Sequence, residues 1–197
     1  MTAARKTLVI ACGALARELA QVVAANRLTH LTITCLPANW HNSPEKIPAG
    51  VRRKIRAARG RFDDILCLYG DCGTGGNLDR VLAEEGVERI EGAHCYAFFA
   101  GDSVFAAMME DELGTFFLTD YLARHFDRLI IKGLGLDRFP QLRDDYFGHY
   151  KRLVYLAQTD DAALAAKAQA AAARLGLAFE TRFTGYGAMP AFLNRAA

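Results

Sequence analysis

An α/β fold, a parallel Rossmann-like sheet between two helical layers, is predicted by three features of this 197-residue chain. Short apolar runs of β character alternate with longer runs of helical spacing, the order expected when crossover helices link parallel strands. Three cysteines stand where a strand-like run gives way to glycine-bearing or turn sequence: Cys12 in TLVIACG, Cys72 in LYGDCGTGG and Cys95 in IEGAHC. A composition of 52% hydrophobic and 23% charged residues supplies one sizeable core or two tightly joined halves of similar style, and it argues against disorder.

Taken in order, residues 6–11 (KTLVIA) form the first strand, and ALARELAQVVAAN from Ala14 repeats apolar groups at helical spacing, with Asn26 as its end. LTITCLPA at 31–38 is the second strand. The polar loop NWHNSPEKIP follows, then a helix from about Ala49 to Arg59. FDDILCLYG holds the third strand, and Asn77 is the candidate N-cap of LDRVLAEE. GVERIEG gives a short fourth strand, and YAFFAGDSVFAAMMEDEL reads mainly as helix. In the second half GTFFLTDYLARHF reads as loop and helix, DRLIIKGLG as strand or helix, and residues 153–157 as strand. The alanine-rich helix after Asp161 ends at Gly176, and a last strand covers 177–183. No linker composition interrupts the chain, so a division near 110–120 separates subdomains at most within a single domain of residues 1–197.

The formal charge of +2 is too mild for a nucleic-acid partner. Positive charge is concentrated in VRRKIRAARGR at 51–61, which on a helix reads as a solvated face or as a contact for an acidic partner. Arg5 and Lys6 before TLVIAC imitate a signal peptide, but the apolar run is only Leu8 to Ala11 and charges return at Arg17 and Glu18. Without a membrane-length apolar run, the expected place is the cytoplasm. An odd set of five cysteines there favours metal, redox or catalytic chemistry over a disulfide scaffold.

Thiolate is a soft ligand, and Cys12, Cys72 and Cys95, delivered by separate strand ends, would surround a zinc ion or three irons of a cubane cluster. Three ligands leave a fourth position open to a small molecule. Gly13, Gly73 and Gly75, with Gly76, would let the backbone approach a cluster or anion, and Thr74 lies in the same loop. YGDCGTGGN lacks the lysine of a P-loop and does not spell the dinucleotide fingerprint. His94 is a candidate fourth ligand or proton donor, and Asp71 a candidate acid or base. His41, Lys132 and Thr115 are further candidates. The alternative is that these cysteines are small buried residues at strand ends. Cys35 and Cys67 fall inside apolar strands and read as core, as do Tyr69, Phe98, Phe99, Phe116, Phe117 and Tyr121.

The segments ACGAL (11–15), LYGDCGTGG (68–76), His94-Cys95, GTFFLT (114–119) and KGLGLD (132–137) together resemble the DUF1638 family of bacterial and archaeal proteins. The resemblance implies that Cys12, Cys72 and Cys95 are the family's characteristic cysteines and share a site. It also implies a one-carbon setting, because members accompany corrinoid-dependent methyltransferases for methylamines or betaines. A three-cysteine 4Fe-4S or zinc protein is therefore expected. It acts either as an enzyme on a small substrate or as an accessory protein to a corrinoid protein or methyltransferase.

Overall fold

Thr7–Cys12 (β1), Leu31–Leu36 (β2), Asp64–Leu68 (β3) and Glu88–Arg89 (β4) form one parallel sheet in the order β2-β1-β3-β4. The structure, a computed structural model, describes residues 5–196. Ala16–Ala25 (α1), Ile47–Ala58 (α2) and Asn77–Glu85 (α3) are the intervening helices. Side chains alternate across each strand, so Leu8, Ile10 and Cys12 of β1 share a face with Ile65 and Cys67 of β3. That face packs on Ile47, Val51 and Ile55 of α2 and on Leu78 and Leu82 of α3. Helix α1 packs instead with a late helix, Met189–Leu193, which buries Met189, Phe192 and Leu193.

The chain divides into two units, one running to Phe98 and resuming at Tyr186, the other Phe99–Gly185. The division thus falls ahead of the 110–120 region suggested by sequence. The helical run YAFFAGDSVFAAMMEDEL is broken in two: Cys95–Ala100 (α4) and Asp102–Asp111 (α5) meet at Gly101, whose φ of +87° no ordinary helix accepts.

The second unit has its own parallel sheet, Thr115–Leu118 (β5), Arg152–Ala157 (β6) and Ala178–Phe183 (β7), in the order β5-β6-β7. GTFFLT is therefore a strand where sequence suggests a loop; its two phenylalanines sit in register with Leu153 and Val154. Asp120–Arg124 (α6), Leu142–Phe147 (α7) and Ala162–Leu175 (α8) complete this unit, and Met189–Leu193 becomes α9. DRLIIKGLG resolves as a π-helical turn over Asp127–Ile131. Leu118, Phe126, Leu153, Tyr155, Leu164 and Leu175 are among the buried side chains of its core. No helix among the described residues is long and apolar enough to cross a membrane.

Candidate thiol site

In the first sheet β1 leads to β2 on one side, whereas β3 returns to pair with β1 on the other. The carboxyl ends of β1 and β3 therefore flank the switch point, where open α/β sheets leave a crevice for ligands. Cys12 is the last residue of β1, and Cys72 lies in the turn that leaves β3. Cys95 opens α4. It reaches the same place because two main-chain bonds fasten the β3 exit to the segment before it: Asp71 N donates to Gly92 O at 3.1 Å, and Cys72 N to Ala93 O at 2.7 Å. Gly70 permits this contact. A Cβ there would stand 2.7 Å from His94 Cα and 2.9 Å from its nitrogen.

Charge on Cys12 and Cys72 acts on the other cysteines of the unit, Cys12 raising the pKa of Cys35 and Cys72 that of Cys67. Cys12 also raises the pKa of Cys72, and Cys72 and Cys12 both raise that of Cys95, though burial is the larger cause for each. Cys72 is pushed up to about 12. Burial also raises Cys12, outweighing the Ala14 amide, which favours its thiolate. The Gly70 and Cys95 amides likewise favour the Cys72 thiolate. Each site thus holds donors for a sulfur anion in surroundings too dry for a bare one. Among the described residues no three His, Cys, Asp or Glu side chains form a group able to hold a metal ion.

The other sequence candidates take different places. Asp71 closes its own loop, accepting from Thr74 Oγ1 at 2.6 Å, Gly76 N at 2.9 Å and Gly75 N at 3.1 Å. Burial would raise its pKa, but these bonds outweigh that and lower it. The glycine amides and the Thr74 hydroxyl offered by the sequence to an anion are thereby turned onto Asp71. Thr74, not Asn77, also caps α3 through Leu78 N at 3.3 Å; Asn77 is the first helical residue and donates to Thr74 O. Gly13 is a point of close passage, since a Cβ would meet Leu36 O at 2.9 Å. His94 packs edge-on against Tyr96, and its pKa is lowered by burial and then by the nearby His41. His41, in the turn after β2, is lowered by desolvation. The two histidines therefore neighbour each other beside the thiols.

Cys67 is fully buried. Cys35 is in register with Ala11 and so faces away from Cys12, while remaining half-buried. Lys132 and Thr115 belong to the second unit. Thr115 Oγ1 donates to Glu112 O and accepts from Arg152. Within the basic segment 51–61, Arg52 pairs with Glu84, and Arg56 and Arg59 with Glu85. Much of its charge is thus answered within the fold.

Tyr69 is the site residue that sequence reasoning assigns to the core alone. It is 2% exposed, its hydroxyl is buried without a hydrogen-bond partner, and burial and then Cys12 raise its pKa. The available signal is its place one residue beyond β3, in phase with Cys67 and therefore on the Cys12 face. Arg89 was also missed. It holds Asp79 of α3 while donating to Ile90 O at 2.8 Å and Gly92 O at 3.1 Å, steadying the segment that precedes Cys95.

A family model described as protein of unknown function (DUF1638) matches residues 35–193, a span that includes Cys72 and Cys95 and begins after Cys12. No curated protein matches the chain. A search of solved structures finds similarity to the ornithine carbamoyltransferase from Pyrococcus furiosus at 13% identity and a TM-score of 0.27. The match covers 91% of this chain and 54% of that one, so the chain spans about half the length of that protein.

Proposed function

The chain belongs to the DUF1638 family, and because that membership names no activity, we propose one from its thiols: Cys12, Cys72 and Cys95 hold a 4Fe-4S cluster with one iron left open to a small ligand. The observation that carries this reading is geometric: the ends of β1 and β3 flank the switch point, and the main-chain bonds from Asp71 and Cys72 to Gly92 and Ala93 bring the start of α4 alongside. Thiolates on a cubane attach to different irons and stand further apart than those on one zinc, whose bonds are about 2.3 Å. Such a cluster supplies a Lewis-acidic iron at its open position.

The chain's own residues prepare the place. Backbone amides of Ala14, Gly70, Cys95 and Tyr96 face the sulfurs and favour their thiolates. Hydrogen bonds to ligating sulfur draw off negative charge and raise a cluster's reduction potential. Apolar packing around Cys12 and Cys72, including Trp40, limits water there. His41 and His94 flank the thiols and supply polar contacts to a bound ligand. A cytoplasmic setting keeps such thiols reduced. Within the one-carbon context implied by the family resemblance, the protein acts either on a small substrate or as an accessory of a corrinoid methyltransferase; zinc held by the same thiols is the second reading.

Anaerobic purification with iron, sulfide and zinc analysis and an absorption spectrum tests this. The expected result is brown protein with iron and acid-labile sulfide in equal amounts. Colourless protein with one zinc per chain replaces the cluster with the second reading, and protein that takes up neither under anaerobic reconstitution overturns the site. Turnover of methylated amines, with and without a corrinoid methyltransferase, separates enzyme from accessory.

A further inference from the structure

Strand β7 ends the second sheet, with β6 on one side and, among the described residues, no strand on the other. Its even-numbered residues spend their main-chain groups on β6: Ala178 N donates to Lys151 O, and three steps of the alternation later Thr184 N donates to Ala157 O. Phe179, Thr181 and Phe183 consequently present their N–H and C=O groups to the open edge. Beyond the charges of Glu180 and Arg182, the edge carries little protection. It has no proline, and Phe183 is 69% exposed.

We propose that β7 pairs with the β7 of a second copy, antiparallel about a twofold axis through Thr181, joining two sheets into one. The sequence AFETRF is self-complementary in that register. Thr181 faces its own counterpart, and Phe179 faces the partner's Phe183. These are the residues whose main-chain groups point outward, so every pair among them exchanges ladder hydrogen bonds. Glu180 faces the partner's Arg182, and the reverse, at the positions where antiparallel side chains stand closest. Moving the axis by one residue, to Glu180 or Arg182, keeps the outward residues paired with one another but sets like charges opposite each other. One register therefore satisfies both charge and hydrogen bonding.

The same pairing accounts for Phe183. Phe179 packs at the margin of the second core, and a partner's Phe183 laid beside it extends that core over apolar surface now facing water. Within one chain Glu180 accepts from Arg182 at 2.7 Å and lies 3.5 Å from Arg152, so the carboxylate already sits in a basic setting that a second Arg182 reinforces. The interface is isologous, the form a closed dimer requires.

Sedimentation equilibrium of the full chain, with charge variants and one engineered cysteine, tests this. The wild type is expected to dimerise. Glu180→Arg and Arg182→Glu should each weaken the dimer at least about tenfold, because two cross-strand pairs become repulsive together, and the double exchange should restore it. Thr181→Cys should form a disulfide with its own counterpart under mild oxidation, identified by peptide mapping against the native cysteines, while Ala178→Cys should not. A wild type that stays monomeric, a dimer indifferent to both single reversals, or self-linking at position 178 as fast as at 181 overturns the proposal.

Discussion

The amide of Cys72 donates to the carbonyl of Ala93 at 2.7 Å, tying the exit of β3 to the chain two residues ahead of Cys95. Two of the three thiols thereby depend on one main-chain seam, and Gly70 lies at its tightest point. Gly70→Ala places a methyl group 2.7 Å from His94 Cα, a backbone atom that yields only by opening the seam. The expected cost is about 1–3 kcal/mol of stability, as for other overpacked sites, together with loss of metal loading. Urea denaturation and metal analysis of the same sample measure both, and a variant that loads normally contradicts the dependence of Cys95 on this seam.

Serine substitution divides the cysteines by face. Cys12→Ser, Cys72→Ser and Cys95→Ser are each expected to abolish loading. Cys35→Ser retains it because that side chain faces away from Cys12. Cys67→Ser also retains it per folded molecule, while losing about 1–3 kcal/mol by burying a hydroxyl in an apolar layer. Retention of metal by all three of the first group would remove the shared site.

Alkaline pH should destabilise the protein for a reason separate from the ligands. Burial pushes the Cys67 thiol from 9.0 up to about 12. A thiol whose folded pKa is raised stabilises the fold fully below its unfolded value. That contribution is lost as pH rises, because only the unfolded chain then releases the proton. Stability should therefore decline from about pH 9 towards 12, and Cys67→Ala should flatten part of that decline. Burial, aided by Asp120, raises Tyr155 in the same direction, so Tyr155→Phe should flatten a further part at pH above the ordinary tyrosine range. Denaturant midpoints measured across this interval give the slopes.

The second unit has its own sensitive point in Asp120, 1% exposed at the end of β5. Its carboxylate accepts from the Tyr155 hydroxyl at 2.7 Å, Gln158 N at 3.0 Å and Thr159 N at 3.1 Å, as well as from the Thr159 hydroxyl. Asp120→Asn turns an amide donor against some of these donors. It should cost about 2–4 kcal/mol, since a buried charge-assisted group is lost and its partners stay buried. Metal loading per folded molecule should be unchanged, which distinguishes this network from the thiol site.

The first three strands are legible as sequence because each is a short apolar run closed by turn residues, and α8 because alanine periodicity ends at Gly176. GTFFLT is not, since four residues flanked by glycine and threonine look like a turn until β6 is beside them. Asn77 has the right chemistry for a cap, yet Thr74 takes the role because the left-handed glycines before the helix swing its hydroxyl back onto Leu78. Cys12 and Cys72 announce themselves as strand ends. The order β2-β1-β3-β4, which makes those ends neighbours, is a long-range fact. So is the effect of Cys12 on Tyr69, visible only when β1 and β3 are paired, and so is the seam that draws Cys95 alongside.

Cys72 holds a φ of +50°, one of two residues other than glycine with positive φ among those described. A side chain in that region costs about 1 kcal/mol or more relative to glycine. Cys72→Gly should therefore relax the turn and raise, or at least preserve, thermal stability while stripping the loop of its sulfur. A selection for robustness alone would favour glycine there, in a stretch already rich in it. The strained thiol marks a position where durability has been traded for reactivity, and the two variants Cys72→Gly and Cys72→Ser, differing in backbone ease and alike in lacking sulfur, separate those two quantities in one melting experiment.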